Sequence, residues 1–105
     1  MKPNYTFMSR STAKPGRLED LIRITSAPPK TMAETLDAPI LYQVSVDRSR
    51  NSVVVWTTLS DKDTLYNYLA TPAGQSGHGD PQEMEEIIET FEMFDLTPVG
   101  QNIEI

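Results

Sequence analysis

The chain has no cysteine and a single histidine, His78. Without thiols it cannot form a disulfide, an iron–sulfur cluster, a cysteine-ligated zinc site or a cysteine nucleophile, and one imidazole cannot make a multi-histidine metal site. Basic residues are also scarce, with 9 Lys and Arg against 15 Asp and Glu, a formal net charge of -6 and a pI of about 4.6. A nucleic-acid partner is therefore not expected, because phosphate contacts need Lys or Arg.

Long hydrophobic runs are missing as well. The longest aliphatic run is VVV at 53–55, far below the roughly 20 residues of a membrane span, and the segment MKPNYTFMSR lacks the apolar stretch of a signal peptide. We therefore expect no membrane segment and a cytoplasmic location. The 105 residues, of which 38% are hydrophobic, predict a single domain over 1–105.

Alternating side chains predict three strands before the last third of the chain. Tyr5 and Phe7 begin a first strand that ends near Thr12, and PILYQVSVD and SVVVWTTL, joined by the polar RSRNS, form a hairpin. The second hairpin strand has bulky side chains on both faces, with Val55 on one and Trp56 on the other. We therefore expect a sheet that is covered on both sides.

Apolar residues at helical spacing predict the first helix. Leu18, Leu21, Ile22 and Thr25 share one face, and the helix should stop or kink at Ala27 because Pro28 and Pro29 follow, with a short further helix from Pro29 to Leu36.

Start signals predict two more helices. Ser60 and Asp63 resemble a capping box for a helix that ends near Thr71, and Asp80 with Pro81 is a stronger start signal. The helix after Asp80 carries an apolar stripe of Met84, Ile87, Ile88 and Phe91. MFDLTPVG then predicts a last strand at a sheet edge, because Pro98 interrupts it.

The predicted order is βαββααβ, an α+β domain with a ferredoxin-like antiparallel sheet. Its helices cover one face of the sheet only. A bare apolar face favours a homodimer, with the sheets of two subunits packed together as a dimeric α+β barrel.

Three segments carry a family resemblance. PGRLEDLI, VVVWTTLSDKDTLYNYLAT and HGDPQEMEEIIETFEMFDLTPV resemble the antibiotic biosynthesis monooxygenase family, over roughly Tyr5 to Val99. The resemblance implies a dimeric barrel with a pocket between sheet and helices in each subunit. It also implies one of three roles, which are cofactor-free oxidation of aromatic polyketides or quinols, heme degradation, or a role not yet known.

The resemblance assigns site residues differently for each role. For the oxygenases it implies that Trp56 lines the pocket and that Ser52, beside Asn51, stands where the family has an Asn. For the heme-degrading members it places Ser9, Tyr68 and His78 at the positions of an Asn, a Trp and the His that ligates iron.

These observations give a first hypothesis with two alternatives. In the first, the protein oxidises an aromatic or quinol-type substrate with O₂ and no cofactor or metal, using His78, Trp56 and Ser9 for catalysis. In that scheme Tyr68, Ser52, Asn51 and Tyr42 bind the substrate. The alternatives are a heme protein with His78 as axial ligand and a non-catalytic dimeric ligand-binding protein. Each residue also has a simpler role, since Trp56 can fill the core and His78 can occupy a turn.

Overall fold

The computed structural model describes residues 3–76 and 79–100, which form one antiparallel sheet with helices on one face. The strands are β1 Tyr5–Ala13, β2 Leu41–Asp47, β3 Ser52–Leu59 and β4 Ile88–Leu96, and the helices are α1 Leu18–Thr35, α2 Lys62–Leu69, α3 Pro72–Ser76 and α4 Pro81–Ile87. The order across the sheet is β2-β3-β1-β4. The predicted α+β fold with an antiparallel sheet is confirmed.

The register of β1 decides which side chains meet the helices. Ser9 lies opposite Val55 of β3 and Met93 of β4, and Met8 lies opposite Trp56 and Phe94. Because successive strand residues point to opposite faces, the odd-numbered residues of β1 and β3 face the helices. The even-numbered ones form the other surface, which we call the open face.

Two clusters of buried side chains lie between the sheet and the helices. One contains Tyr5, Met32, Leu59, Leu65 and Tyr68, and the other contains Ala13, Leu21, Val53, Val55 and Ile87. The helices are held to the sheet mainly by burial of these apolar surfaces.

Helix α1 passes through Pro28 and Pro29 and continues to Thr35. The helix does not stop at Ala27, so the separate helix expected from Pro29 to Leu36 is wrong. Met32, beyond the prolines, is only 7% exposed and packs in the cluster with Leu65. This packing offsets the helix hydrogen bonds that the two prolines cannot donate.

The last helix is shorter than its apolar stripe predicts. Helix α4 ends at Ile87, and Ile88 begins β4, which pairs with β1 as far as Leu96. Pairing with β1 decides the structure here although the apolar residues have helical spacing, because β-branched and aromatic residues such as Ile88 and Phe91 also suit a strand. The start signal is confirmed, since the Asp80 side chain accepts a hydrogen bond from the Gln82 amide.

Two details around α2 also differ from expectation. Its cap is Asp61 and not Ser60, since an Asp61 oxygen lies 2.8 Å from both the amide nitrogen and the hydroxyl of Thr64. After α2 the chain forms the short helix α3, which the sequence did not predict.

Gly74 allows α3 to pack against α2. A Cβ atom at Gly74 would lie 2.1 Å from the Tyr68 carbonyl oxygen, so Gly74→Ala must push two backbone segments apart. We expect this overpacking to lower the free energy of unfolding by about 1–3 kcal/mol, measured by urea denaturation. Gly100→Ala is the control, because a Cβ there meets no atom within 4 Å. Equal stability of the two variants would contradict the close packing.

Candidate functional site

A cavity of about 280 Å³ lies between the sheet and the helices. This volume is near the lower end of small-molecule pockets, about 300–1,000 Å³, and suits a ligand of one or two fused rings. The sheet supplies Phe7, Ser9, Val55 and Thr57, and α1 supplies Ile24, Thr25, Pro28, Pro29 and Met32.

Helix α2 and the edge strand β4 close the other sides of the cavity. Helix α2 contributes Leu65, Tyr66, Tyr68 and Leu69, and Ile88, Phe91 and Met93 come from β4. Phe91 and Met93 are 47% and 60% exposed. The cavity is therefore bordered by partly exposed apolar side chains along β4, where a ligand can enter.

Two hydroxyl groups lie on the sheet side of the cavity. Ser9 is 8% exposed and Thr57 is 2% exposed, on neighbouring strands. Within the part of the chain that the structure describes, neither hydroxyl has a hydrogen-bond partner. Because a hydroxyl both donates and accepts, these two groups can bind a polar substituent on an otherwise apolar ligand.

Two tyrosines add polar groups on the helix side. The buried Tyr68 has its hydroxyl oxygen 3.4 Å from Thr35 Oγ1. Tyr66 is 46% exposed, and its hydroxyl lies 3.5 Å from Asp95 Oδ1. Among the described residues that line the cavity, no side chain is a carboxylate, an amine, a guanidinium or an imidazole.

A charged group lies beside the cavity at Asp95. Tyr5 donates a hydrogen bond to Asp95, and Lys62 Nζ is 3.8 Å from the other carboxylate oxygen and 5.2 Å from the centre of the Tyr66 ring. Burial, followed by the hydrogen bond to Asp95, raises the pKa of the Tyr5 phenol. Tyr66 is therefore the side chain that connects this ion pair to the cavity.

Ser9 and Tyr68 are two of the residues predicted for a site, and both line the cavity. Trp56 lies on the open face, opposite Met8 and Gln43, and does not line the cavity. This differs from the pocket-lining role expected for it, because even-numbered residues of β3 point away from the helices.

Three other predicted residues also lie outside the cavity. Asn51 adopts a left-handed backbone conformation with φ 52°, and its side chain donates to the Ala13 carbonyl at 2.8 Å. The Ser52 hydroxyl donates to the Arg50 carbonyl at 2.7 Å. Both side chains stabilise the turn between β2 and β3, while Tyr42 is half-buried on the edge strand β2.

His78 lies outside the described residues, so its roles as a catalytic residue and as a heme ligand stay predictions. The described residues contain no group of three or more His, Asp or Glu side chains that could hold a metal ion. In the same residues no helix has the length and apolar character needed to span a bilayer.

The site contains residues that the sequence did not single out. Thr57 could have been found because it alternates with Val55 on the helix side of β3. The contributions of Phe91 and Met93 depend on the pairing of β4 with β1, which local spacing did not indicate.

Solved structures share this arrangement over nearly the whole chain. SnoaB, a cofactor-independent oxygenase from Streptomyces nogalater, has a TM-score of 0.75 at 18% identity, over 96% of this chain and 98% of that one. A candidate antibiotic biosynthesis monooxygenase from Bacteroides thetaiotaomicron has a TM-score of 0.72 at 17% identity, over 97% and 95%. The protein SO0527 from Shewanella oneidensis has a TM-score of 0.71 at 24% identity, over 92% and 95%.

The chain has the fold of the antibiotic biosynthesis monooxygenases. The resemblance predicted from the sequence is confirmed at the level of the fold. No family model matches the sequence, and no curated protein matches it either.

The raised pKa of Tyr5 predicts a loss of stability at high pH. The folded state holds the Tyr5 proton more tightly than the unfolded chain, whose tyrosines titrate near pH 10. This contribution is complete below pH 10 and is lost as the pH rises above it. The free energy of unfolding should then fall by up to about 1.4 kcal/mol per pH unit from this group.

Urea denaturation at pH 9 and pH 11 tests this effect. Tyr5→Phe should show a smaller decrease in stability between the two pH values than the wild type. Tyr42→Phe is the matched control, since it removes a phenol that does not contact Asp95. The assignment would be wrong if both variants lost stability with pH as steeply as the wild type.

Proposed function

We propose that the chain is a monooxygenase that oxidises a small hydroxylated aromatic or quinol-type substrate with O₂ and without a cofactor. The observation that carries this proposal is the small apolar cavity with the unpartnered hydroxyls of Ser9 and Thr57 on one wall. Such a cavity binds a flat apolar ring and orients its polar substituents. The similarity in fold to SnoaB, a cofactor-independent oxygenase, supports the same class of reaction.

The substrate supplies the electrons in this reaction. Loss of the phenolic proton gives an electron-rich anion, which transfers electrons to O₂. One oxygen atom then forms a bond to the ring carbon and the other leaves as water, so a phenol and O₂ become a quinone and H₂O. Four electrons pass from substrate to oxygen, and no external reductant is needed.

The cavity would contribute binding and desolvation. Apolar walls exclude water and leave the phenolate less solvated, which raises its reactivity toward oxygen. The hydroxyls of Ser9 and Tyr68 hold the substrate oxygen. Asp95 is the ionisable group that stands beside the cavity, and Tyr66 connects the two. A water molecule or Asp95, acting through Tyr66, can receive the proton.

We also propose that the chain forms a homodimer through the open face. This face includes Met8 on β1, which lies between Trp56 on β3 and Phe94 on β4. A row of large apolar side chains on the face opposite the helices is typical of a surface that a second subunit covers. Trp56 then acts in assembly and not in the cavity.

A second candidate is a binding protein without catalytic activity. The observation that favours it is the lack of a carboxylate, an amine or an imidazole among the described side chains that line the cavity. The two candidates differ in turnover and share the ligand, so oxygen consumption separates them.

Substitutions in the cavity test the proposed oxidation. Ser9→Ala and Tyr68→Phe each remove one hydroxyl, and each should lower kcat/KM for oxidation of 1,4-dihydroxynaphthalene about tenfold, the value of one neutral hydrogen bond. An oxygen electrode measures the rate, with uncatalysed autoxidation subtracted. Tyr42→Phe removes a hydroxyl outside the cavity and should react at the wild-type rate. Oxygen uptake no faster than autoxidation would contradict the oxygenase and leave the binding protein.

A charge on the open face tests the dimer. Trp56→Glu places a carboxylate in the middle of the apolar row, and burial of that charge in an interface is costly. We expect the wild type to sediment as a dimer and Trp56→Glu as a monomer, measured by analytical ultracentrifugation. Val99→Glu is the control, because Val99 is fully exposed and should leave the dimer intact. A monomeric wild type, or a dimeric Trp56→Glu variant, would refute the assignment.

A further inference from the structure

Two consecutive prolines lie inside α1 where this helix borders the cavity. Pro28 and Pro29 both line the cavity, as do Ile24 and Thr25 one turn earlier. Proline is strongly disfavoured inside a helix, because it has no N–H to donate and its ring crowds the carbonyl four residues before it. The prolines therefore change the hydrogen bonding of the helix at the cavity wall.

The Thr25 carbonyl is the group most affected. In an α-helix it would accept from the N–H of residue 29, and in a tighter 3₁₀ turn from residue 28. Both positions are proline, so both donors are missing. The Ile24 carbonyl loses only the α-helical partner, because Ala27 at the 3₁₀ position keeps its N–H.

Nearby side chains do not replace the missing donors. The Thr25 hydroxyl donates to the Leu21 carbonyl at 2.7 Å, and the Ser26 hydroxyl donates to the Ile22 carbonyl at 2.6 Å. Across the described ranges, no side chain donates to the Thr25 carbonyl. Because Thr25 lines the apolar cavity, the loss of both helix donors at residues 28 and 29 is unfavourable there until another donor replaces them.

We propose that the Thr25 carbonyl accepts a hydrogen bond from a hydroxyl group of the aromatic ligand, so that a ligand O–H is required for tight binding. This inference rests on the proposed function, because it assumes an aromatic ligand in the cavity. Thr25 belongs to the helix wall, and Ser9 and Thr57 belong to the sheet wall opposite it. A ring with hydroxyls at both ends meets polar groups on the two walls, which selects quinols among aromatic molecules.

Equilibrium dialysis with 2-naphthol and naphthalene tests this acceptor. The two probes share the ring system and differ by one hydroxyl. The wild type should bind 2-naphthol about tenfold or more tightly than naphthalene, the contribution of one satisfied hydrogen bond. Pro29→Ala restores the N–H that the Thr25 carbonyl lacks, and it should lower the affinity for 2-naphthol about tenfold while leaving the affinity for naphthalene unchanged.

Two controls test whether a change in affinity is specific to the N–H at position 29. Pro81→Ala makes the same substitution at the first position of α4, where a helix needs no N–H donor, and should keep the preference for 2-naphthol. Alanine is a better helix former than proline, so Pro29→Ala should fold, which circular dichroism confirms.

The outcomes separate this inference from the proposed function. A preference for 2-naphthol that falls about tenfold in Pro29→Ala supports the acceptor. Equal binding of both probes by the wild type, or an undiminished preference in Pro29→Ala, overturns the acceptor and leaves an aromatic-binding cavity. Failure of the wild type to bind either probe overturns both the acceptor and the proposed substrate class.

Discussion

The pairing of β1 with both β3 and β4 is the constraint on which the rest of the structure depends. This register sends Ser9 and Thr57 toward the helices and Trp56 toward the open face. Because of the pairing with β1, β4 begins directly after Ile87, and Phe91 and Met93 lie at the side of the cavity. A shift of one residue would exchange the two faces, so the cavity and the open face are determined by the same ladder.

The cavity combines apolar walls with neutral polar groups. Ser9, Thr57 and Tyr68 offer hydroxyls, and Pro28 and Pro29 remove the two helix N–H donors that the Thr25 carbonyl would use. The charged side chains of Asp95 and Lys62 lie outside the cavity. Tyr66, which lines the cavity, has its hydroxyl beside Asp95. Such a site favours a neutral hydroxylated ring as the bound form. Its apolar walls are also suited to O₂, which needs no polar contact.

Much of the fold could be predicted from the sequence, because alternation in β1, β2 and β3 and the cap at Asp80 are local signals. The end of α4 could not, since Ile88 and Phe91 fit a helix stripe and a strand equally well until β1 pairs with them. The prolines of α1 wrongly indicated the end of a helix for a similar reason. Tertiary packing, here that of Met32, keeps the helix intact beyond them. The resemblance to a family assigned Ser9, Tyr68 and Trp56 to the site. Trp56 lies on the open face instead, and spacing along one strand could not reveal this, because it does not tell which face the helices cover.

We propose that ligands bind between the sheet and the proline-containing part of α1. A ¹⁵N nuclear magnetic resonance titration with 1,4-dihydroxynaphthalene under nitrogen tests it most directly. Binding at this place should give saturable shifts of the amide signals of Ser9, Thr25 and Thr57, with the signals of Met8 and Phe94 on the open face unchanged. Shifts confined to the open face, or the absence of saturable shifts, would contradict it.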